Sequence, residues 1–344
     1  SYMNNIVVAE DIKNLAERFA FKKELQKKTV LVTGGTGLIG SLIVRFLAYL
    51  RDTEGVDVGI IAMARNPQKV KKMDFPSGIQ WVFQDMREKL NIEENADYIF
   101  HTACPTQSQF LADNPVEVIT STVTGAENLF LYARERQLSV VYLSSIEIYG
   151  QMDSDCLVSE DTYGHLDHLN ARSCYPESKK MIESLATAYA KEYGTDIKIA
   201  RLTQTFGAGI SKDDKRVFAQ FARAAIYSQD IVLHTKGISS KSYVYTMDAI
   251  NALFYIMLKG NKGEAYNVAN EETFISIYGL AQFVIQNFNE NINVRIDEKN
   301  MGYAPDTRVN LNTSKLKALG WKPEVGLEEA YRRMIQSMQE ESTV

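Results

Sequence analysis

Apolar positions along the chain fall into two periods that alternate. Ile12, Leu15, Ala16, Phe19 and Ala20 recur at three- and four-residue spacing and predict an amphipathic helix over 9–27. Short apolar runs follow at 29–33, 58–64, 79–83, 97–102, 140–144 and 197–202, each the length of a buried strand. Helical patterns over 38–50, 115–136 and 176–193 separate several of them. Strands that alternate with helices predict an α/β fold, a doubly wound parallel sheet covered by helices on both faces. After about residue 203 the alternation loosens. Helices over 215–228, 246–259 and 276–289, short strands over 231–235 and 265–268, and a Gly/Pro-containing tail predict a smaller C-terminal α/β region.

Composition narrows the classes of function. The 344 residues are 45% hydrophobic and 24% charged, ordinary for one large domain or two smaller ones. A net charge of -5 with no long basic run argues against a dedicated nucleic-acid binder. No apolar run reaches the roughly 18 residues a bilayer span needs, and the N-terminus does not read as a signal peptide. The three cysteines, Cys104, Cys156 and Cys174, have no metal-type spacing and fit a reduced, cytoplasmic setting. His165, Asp167 and His168 lie on a polar insertion, and no metal is expected there.

The run Thr33-Gly34-Gly35-Thr36-Gly37-Leu38-Ile39-Gly40 follows a strand and opens a helix. That context turns a weak glycine pattern into a dinucleotide-binding candidate. Glycines allow a tight turn and close approach of backbone to a pyrophosphate, and the helix N-terminus offers free amides. Gly34, Gly37, Leu38, Ile39 and Gly40 are therefore the candidate phosphate cradle. The organisation expected is a helical extension over 1–27, a Rossmann-type NAD(P)-binding domain over 28–203, and a mainly substrate-binding region over 204–344. The chain is free to cross back between the last two. The second strand should end on an acid for NAD or a cation for NADP. Asp57 begins that strand, at the wrong end, whereas Ala64-Arg65-Asn66 closes it, which favours NADP. Asp85, after the third strand, is placed to meet the adenine amino group, with Met86 beside it in the same cofactor set.

Tyr175-Pro176-Glu177-Ser178-Lys179 sets a tyrosine and a lysine on one helical face. Pro176 is tolerated only near a helix start, which places Tyr175 at the N-terminal end. A free tyrosine, with a pKa near 10, is too weak a base at neutral pH, and a neighbouring ammonium favours the phenolate. Ser144-Ser145 ends a buried strand, where a serine can hydrogen-bond a substrate oxygen.

These motifs together resemble the extended short-chain dehydrogenase/reductase, or NAD-dependent epimerase/dehydratase, family over roughly residues 28–335. The resemblance selects Ser145, Tyr175 and Lys179 as catalytic residues. Among its members the chain is most like the UDP-glucuronate decarboxylases. His101-Thr102-Ala103-Cys104-Pro105, Arg172-Ser173-Cys174-Tyr175, Thr205-Phe206-Gly207, Lys215-Arg216-Val217 and Ser239-Ser240-Lys241-Ser242-Tyr243 carry that likeness. Glu147 stands where dehydratases and decarboxylases of the family carry an active-site glutamate. The chain departs from the pattern at Gln204, where those decarboxylases have asparagine, and at Lys241, where they have arginine. Ile146 replaces a polar residue, and Pro176 and Ser178 alter the motif around the tyrosine. The resemblance implies a nucleotide-sugar substrate, with Gln204, Arg216 and Lys241 as its binders, and a homodimer through the helices over 115–136 and 176–193. Val118, Val123, Leu129, Met181, Leu185 and Tyr189 are the apolar residues considered for that contact.

Glu147 is open to two readings, a base beside a 4-keto group or a pocket-shaping ion-pair partner. The net reaction is likewise open: epimerisation, dehydration or decarboxylation with retained cofactor, NADPH-dependent reduction of a keto sugar, or cofactor sensing without chemistry. A sensor has no need of Ser145, Tyr175 and Lys179 together.

Overall fold

A computed structural model describes residues 5–103, 108–152, 156–300 and 305–342. Cys104 and Pro105 of the quoted motif lie outside the described residues.

The chain opens with α1 (Ile6–Arg18), then β1 (Lys28–Thr33), α2 (Leu38–Thr53), β2 (Val58–Ala64), α3 (Pro67–Lys72), β3 (Gln80–Phe83) and β4 (Tyr98–His101). α4 (Ser108–Asp113), α5 (Pro115–Arg136), β5 (Ser139–Ser145), a 3-10 turn (Ile146–Tyr149), β6 (Leu157–Val158), α6 (Cys174–Tyr193), β7 (Ile197–Leu202) and β8 (Gln204–Phe206) follow. The remainder comprises α7 (Val217–Tyr227), β9 (Ile231–Leu233), β10 (Ser240–Tyr245), α8 (Thr246–Lys259), β11 (Ala265–Val268), β12 (Asn270–Ser276) and α9 (Ile277–Phe288). It ends with β13 (Val294–Ile296), β14 (Arg308–Leu311), α10 (Ser314–Lys317) and α11 (Leu327–Ser342).

Seven parallel strands form the large sheet in the order β3-β2-β1-β4-β5-β7-β11. The chain direction across the sheet reverses at β1 and β4, and open α/β sheets bind ligands at the carboxyl edge of such a reversal. The period of two sorts side chains by face. Val30, Val32, Ile60 and Ala62 pack under α2 and α8, while Leu31, Ile61, Ile99 and Val140 pack under α5 and α6. Both faces are dry, as the near-continuous apolar runs require.

A second sheet carries two of the candidate substrate-binding residues, Gln204 and Lys241. β10 pairs antiparallel with β12 and parallel with β14, β14 pairs with β6, and β8 pairs with β10. The segment expected as a tail holds β13, β14, α10 and α11. In α11 Tyr331, Met334 and Met338 are fully buried at helical spacing.

Two expectations need correction. The helix expected over 9–27 stops at Arg18. Phe19 and Phe21 are both buried, Phe19 against Phe46 and Phe254 and Phe21 against Tyr255. Residues two apart cannot share a helix face, so the backbone leaves the helix to bury both. Of the apolar residues considered for a dimer contact, Val118 and Leu129 lie inside the chain's own core, whereas Met181 is 58% exposed. The apolar outer surface includes Val116 and Ile119 instead.

Candidate active site at the carboxyl edge of the large sheet

The glycine loop occupies the turn from β1 into α2. Gly34 has φ +62°, and a Cβ there would lie 2.8 Å from the Ala103 backbone. A Cβ on Gly40 would sit 2.1 Å from the Gly34 carbonyl oxygen. Both positions therefore exclude any side chain. Gly37 caps α2, and Leu38 and Ile39 begin it half-buried, with first-turn amides that lack intrahelical acceptors. A cradle of this kind fits a dinucleotide pyrophosphate.

Thr33 locks the loop from below. Its Oγ1 accepts the amides of Thr102 (3.0 Å) and Ala103 (3.2 Å), so its own proton goes to His101 Nδ1 at 2.7 Å. That assignment leaves the ring proton of His101 on Nε2. Burial, reinforced by the nearby Lys179 cation, pushes the His101 pKa down to about 3, so the imidazole is neutral. His101 is a structural histidine between β1 and β4.

Arg65 is exposed directly after β2, and Asn66 caps α3 by accepting the amides of Gln68 and Lys69. Asp57 lies at the opposite end of β2, its amide donating to Gln26. Asp85 is gripped by Arg87 at 2.6 Å, a contact the sequence motifs did not signal. Arg87, with a smaller contribution from Arg65, holds the Asp85 carboxyl at about 2. The Met86 carbonyl accepts from Asn128 Nδ2 on α5 at 2.9 Å.

The Tyr-x-x-x-Lys pair lies in the first turns of α6, where Pro176 costs no hydrogen bond. Lys179 is only 3% exposed. Its ammonium donates to the Leu143 carbonyl of β5 at 2.6 Å and lies 5.5 Å from the centre of the Tyr175 ring. Ser145 ends β5, and its Oγ accepts the Glu147 amide at 3.1 Å, which leaves the hydroxyl proton to donate elsewhere. Cys174, beside Tyr175, is buried with Sγ 3.6 Å from the Leu111 carbonyl oxygen, and burial pushes its thiol pKa up. It packs; nothing activates it.

Glu147 lies in the 3-10 turn, accessible to solvent but set deep among protein groups. That enclosure raises its pKa, opposed by the cations of Lys241 and Lys179. Lys241, on β10, is half-buried and donates to Gln204 Oε1 at 3.3 Å. Burial lowers the Lys241 pKa and Glu147 opposes that shift. Ser145, Glu147, Lys179, Gln204 and Lys241 thus gather where the two sheets face each other. Arg216 stands apart. It caps α7 with its guanidinium on Asp214 at 2.6 Å and over the Phe218 ring at 4.8 Å.

A buried network that the motifs do not reveal braces this edge. Arg201 of β7 binds Glu183 of α6 at 2.7 Å, the Tyr149 hydroxyl at 2.9 Å and the Glu160 carbonyl at 2.7 Å. Ser144 donates to Glu183 at 2.6 Å. Burial works against the Arg201 charge, but Glu183 prevails and raises its pKa. The neighbours of Ser145 and Glu147 in sequence are therefore tied to the helix that carries Tyr175.

Known proteins share both the sequence and the fold. The chain is 29% identical over 303 residues to UDP-glucuronic acid decarboxylase 3 of Arabidopsis thaliana, covering 87% of this chain and 86% of that protein. It is 27% identical over 316 residues to UDP-glucuronic acid decarboxylase 1 of Danio rerio, covering 92% and 74%. Its fold matches a Thermotoga maritima UDP-glucose 4-epimerase solved with UDP-glucose, with a TM-score of 0.77 at 19% identity over 91% of this chain and 99% of that one. It also matches a Streptomyces venezuelae dTDP-glucose 4,6-dehydratase solved with NAD, with a TM-score of 0.76 at 22% identity over 92% and 98%. A family model matches residues 30–269, from the first strand of the large sheet to just beyond the last, and the chain belongs to the NAD dependent epimerase/dehydratase family.

Proposed function

We propose that this chain converts a nucleotide sugar through a 4-keto intermediate with retained cofactor, in the manner of the decarboxylases it resembles. The observation that carries the reading is the gathering of Glu147 and the Lys241–Gln204 pair with Ser145 and Lys179 at one sheet edge. Simple hydride exchange needs no such carboxylate.

A bound nicotinamide would supply the hydride acceptor and donor. Tyr175 takes the proton of the sugar 4-hydroxyl, with the Lys179 cation favouring the phenolate. Ser145 donates its free proton to the same oxygen. Glu147, its pKa raised by its enclosure against the pull of Lys241 and Lys179, moves a proton beside the new keto group. Lys241 and Gln204 offer donors to ring substituents, and Arg216 offers a cation to the diphosphate once it leaves Asp214. Gly34, Gly37, Leu38, Ile39 and Gly40 hold the cofactor pyrophosphate, and Asp85 and Met86 border its adenine.

NADP(H) is the preferred cofactor in this proposal, because β2 runs directly into Arg65, with a cation and without a carboxylate. That feature also favours a second reading, an NADPH-dependent reductase of a nucleotide-linked keto sugar. A homodimer through the outer faces of α5 and α6, where Val116, Ile119 and Met181 are exposed, completes the proposal, with the cytoplasm as its setting. Among the described residues no helix is long and apolar enough to cross a membrane.

Mass spectrometry of products from a panel of nucleotide sugars with NAD(P) tests the reading. Wild type should release a rearranged or shortened sugar without net cofactor consumption, and Glu147→Gln should accumulate the keto sugar. Stoichiometric NADPH oxidation with normal turnover of Glu147→Gln would establish the reductase instead.

A further inference from the structure

Beside the glycine loop, three aromatic rings line the outer edge of the large sheet. Trp81 of β3 pairs in register with Ala62 of β2, and its indole lies directly against the loop. A Cβ on Gly35 would meet two atoms of that ring at 2.9 and 3.2 Å, so the indole fills the space a side chain would need. The Gly35 amide is also fixed to β2, donating to the Met63 carbonyl at 2.8 Å. The rings continue in both directions. Phe75 packs on Trp81 with centroids 4.9 Å apart, under the Arg45 guanidinium of α2. Phe83, two residues further along β3 and so on the same face, lies parallel to Trp81 within 10° at 6.4 Å. Phe83 is the last residue of β3, at the carboxyl edge, and is 45% exposed. It stands opposite Ala64 in register, which brings Arg65 and Asp85 to the same corner.

The order of the strands decides which half of a dinucleotide comes here. The pyrophosphate cradle opens at the end of β1. Ser145 and Lys179 lie on its β4–β5 side, where Lys179 holds the Leu143 carbonyl of β5, so a nicotinamide that meets them lies on that side. The adenosine half then runs the opposite way, across β2 toward β3. At that corner both Asp85 oxygens already accept from Arg87, whereas Phe83 presents an open apolar ring. We propose that Phe83 is a binding residue for the adenine of the cofactor, its ring stacked on the purine, with Trp81 as the residue that positions it. The same indole lies against Gly35 and parallel to Phe83, so the ring that receives the base is set by the loop that receives the pyrophosphate. Stacking removes two flat apolar faces from water and reads the face of the base, leaving its edge free. The inference rests on family membership and on the glycine loop as the cofactor cradle, and not on which sugar is converted.

Calorimetric titration of the purified full chain with NAD(H), NADP(H), AMP and nicotinamide mononucleotide tests it. Phe83→Ala should weaken binding of AMP and of the preferred dinucleotide about tenfold and leave nicotinamide mononucleotide unchanged. Phe83→Tyr keeps the flat ring and should bind AMP as wild type does. Phe83→Leu keeps apolar bulk without the ring face, should share the loss, and replaces the alanine variant if that one fails to fold. A merely structural role would lower the melting midpoint without separating the two halves of the cofactor. Wild-type affinity for AMP and the dinucleotide in Phe83→Ala overturns the proposal, as does an equal loss for nicotinamide mononucleotide. Wild type that binds neither dinucleotide would overturn the cradle itself, a result distinct from unchanged affinity in the variant.

Discussion

The two walls of the cleft are built from different parts of the polypeptide. The wall proposed for the cofactor is made of backbone: a left-handed Gly34, a Gly40 with no room for a methyl group, and the opening amides of α2. The wall proposed for the substrate is made of side-chain charge: Glu147 between Lys241 and Lys179, with Gln204 holding Lys241. A backbone cradle binds whatever carries a pyrophosphate and tolerates almost no change. A wall of side chains can be re-specified one residue at a time. One frame can thus keep its cofactor while its substrate changes.

The sharpest way to separate the walls is at the proton-transfer group between them. Tyr175→Phe should lower kcat by roughly 10²–10⁴-fold and leave cofactor affinity and melting midpoint near wild type. A variant with wild-type turnover on the true substrate would remove Tyr175 from the chemistry. Next in size is the brace. Arg201→Met leaves Glu183 buried without its cation and should cost roughly 3 kcal/mol in urea denaturation. Turnover should fall as well, because Tyr149 loses the guanidinium that ties it to Glu183 of α6; unaltered stability would mean that the network is dispensable.

A smaller effect should appear in the pH dependence of the cofactor wall. His101 has a folded pKa near 3 against an ordinary value of 6.5, with Lys179 as the neighbouring cation. Above pH 6.5 neither state is protonated, and its contribution to stability is complete. As pH falls from 6.5 toward 3, the unfolded chain takes up a proton that the folded chain refuses, and stability declines by at most about 1.4 kcal/mol per pH unit. The stability gap between wild type and His101→Gln should therefore narrow between pH 7 and pH 5, and a gap of constant size would contradict a neutral His101. Smallest is Arg65→Ala, which should weaken NADP binding about tenfold and leave NAD binding unchanged. Equal loss for both cofactors would exclude a 2′-phosphate contact.

The large sheet and its flanking turns were legible in the sequence because their signals are local. Strands β1 to β5, the glycine turn and the start of α6 each declare themselves within a few residues. The substrate sheet was not. Its strands are short, polar and gathered from 157–158, 204–206, 240–245, 270–276 and 308–311, and nothing in one predicts its partner. Arg201 sits in a segment correctly read as a strand and Glu183 in one correctly read as a helix, yet neither residue signals the other. The spacing of Tyr331, Met334 and Met338 did carry a helical signal, hidden by the glycines and prolines upstream.

The bond from Asn5 to Ser337 joins residues 332 positions apart. It gives the order of events during synthesis an unusual shape. α1 leaves the ribosome before the strands of the large sheet, and α11, which packs against it, only after all of them. Until then the side chains of Val7, Val8, Ile12 and Leu15 have no finished surface to meet, although β1 to β5 can already pair. Contacts of such long separation form late because closing the chain between them costs entropy before any contact repays it. A nascent chain halted before residue 327 should therefore expose α1 to protease, and cleavage there should cease once α11 is released.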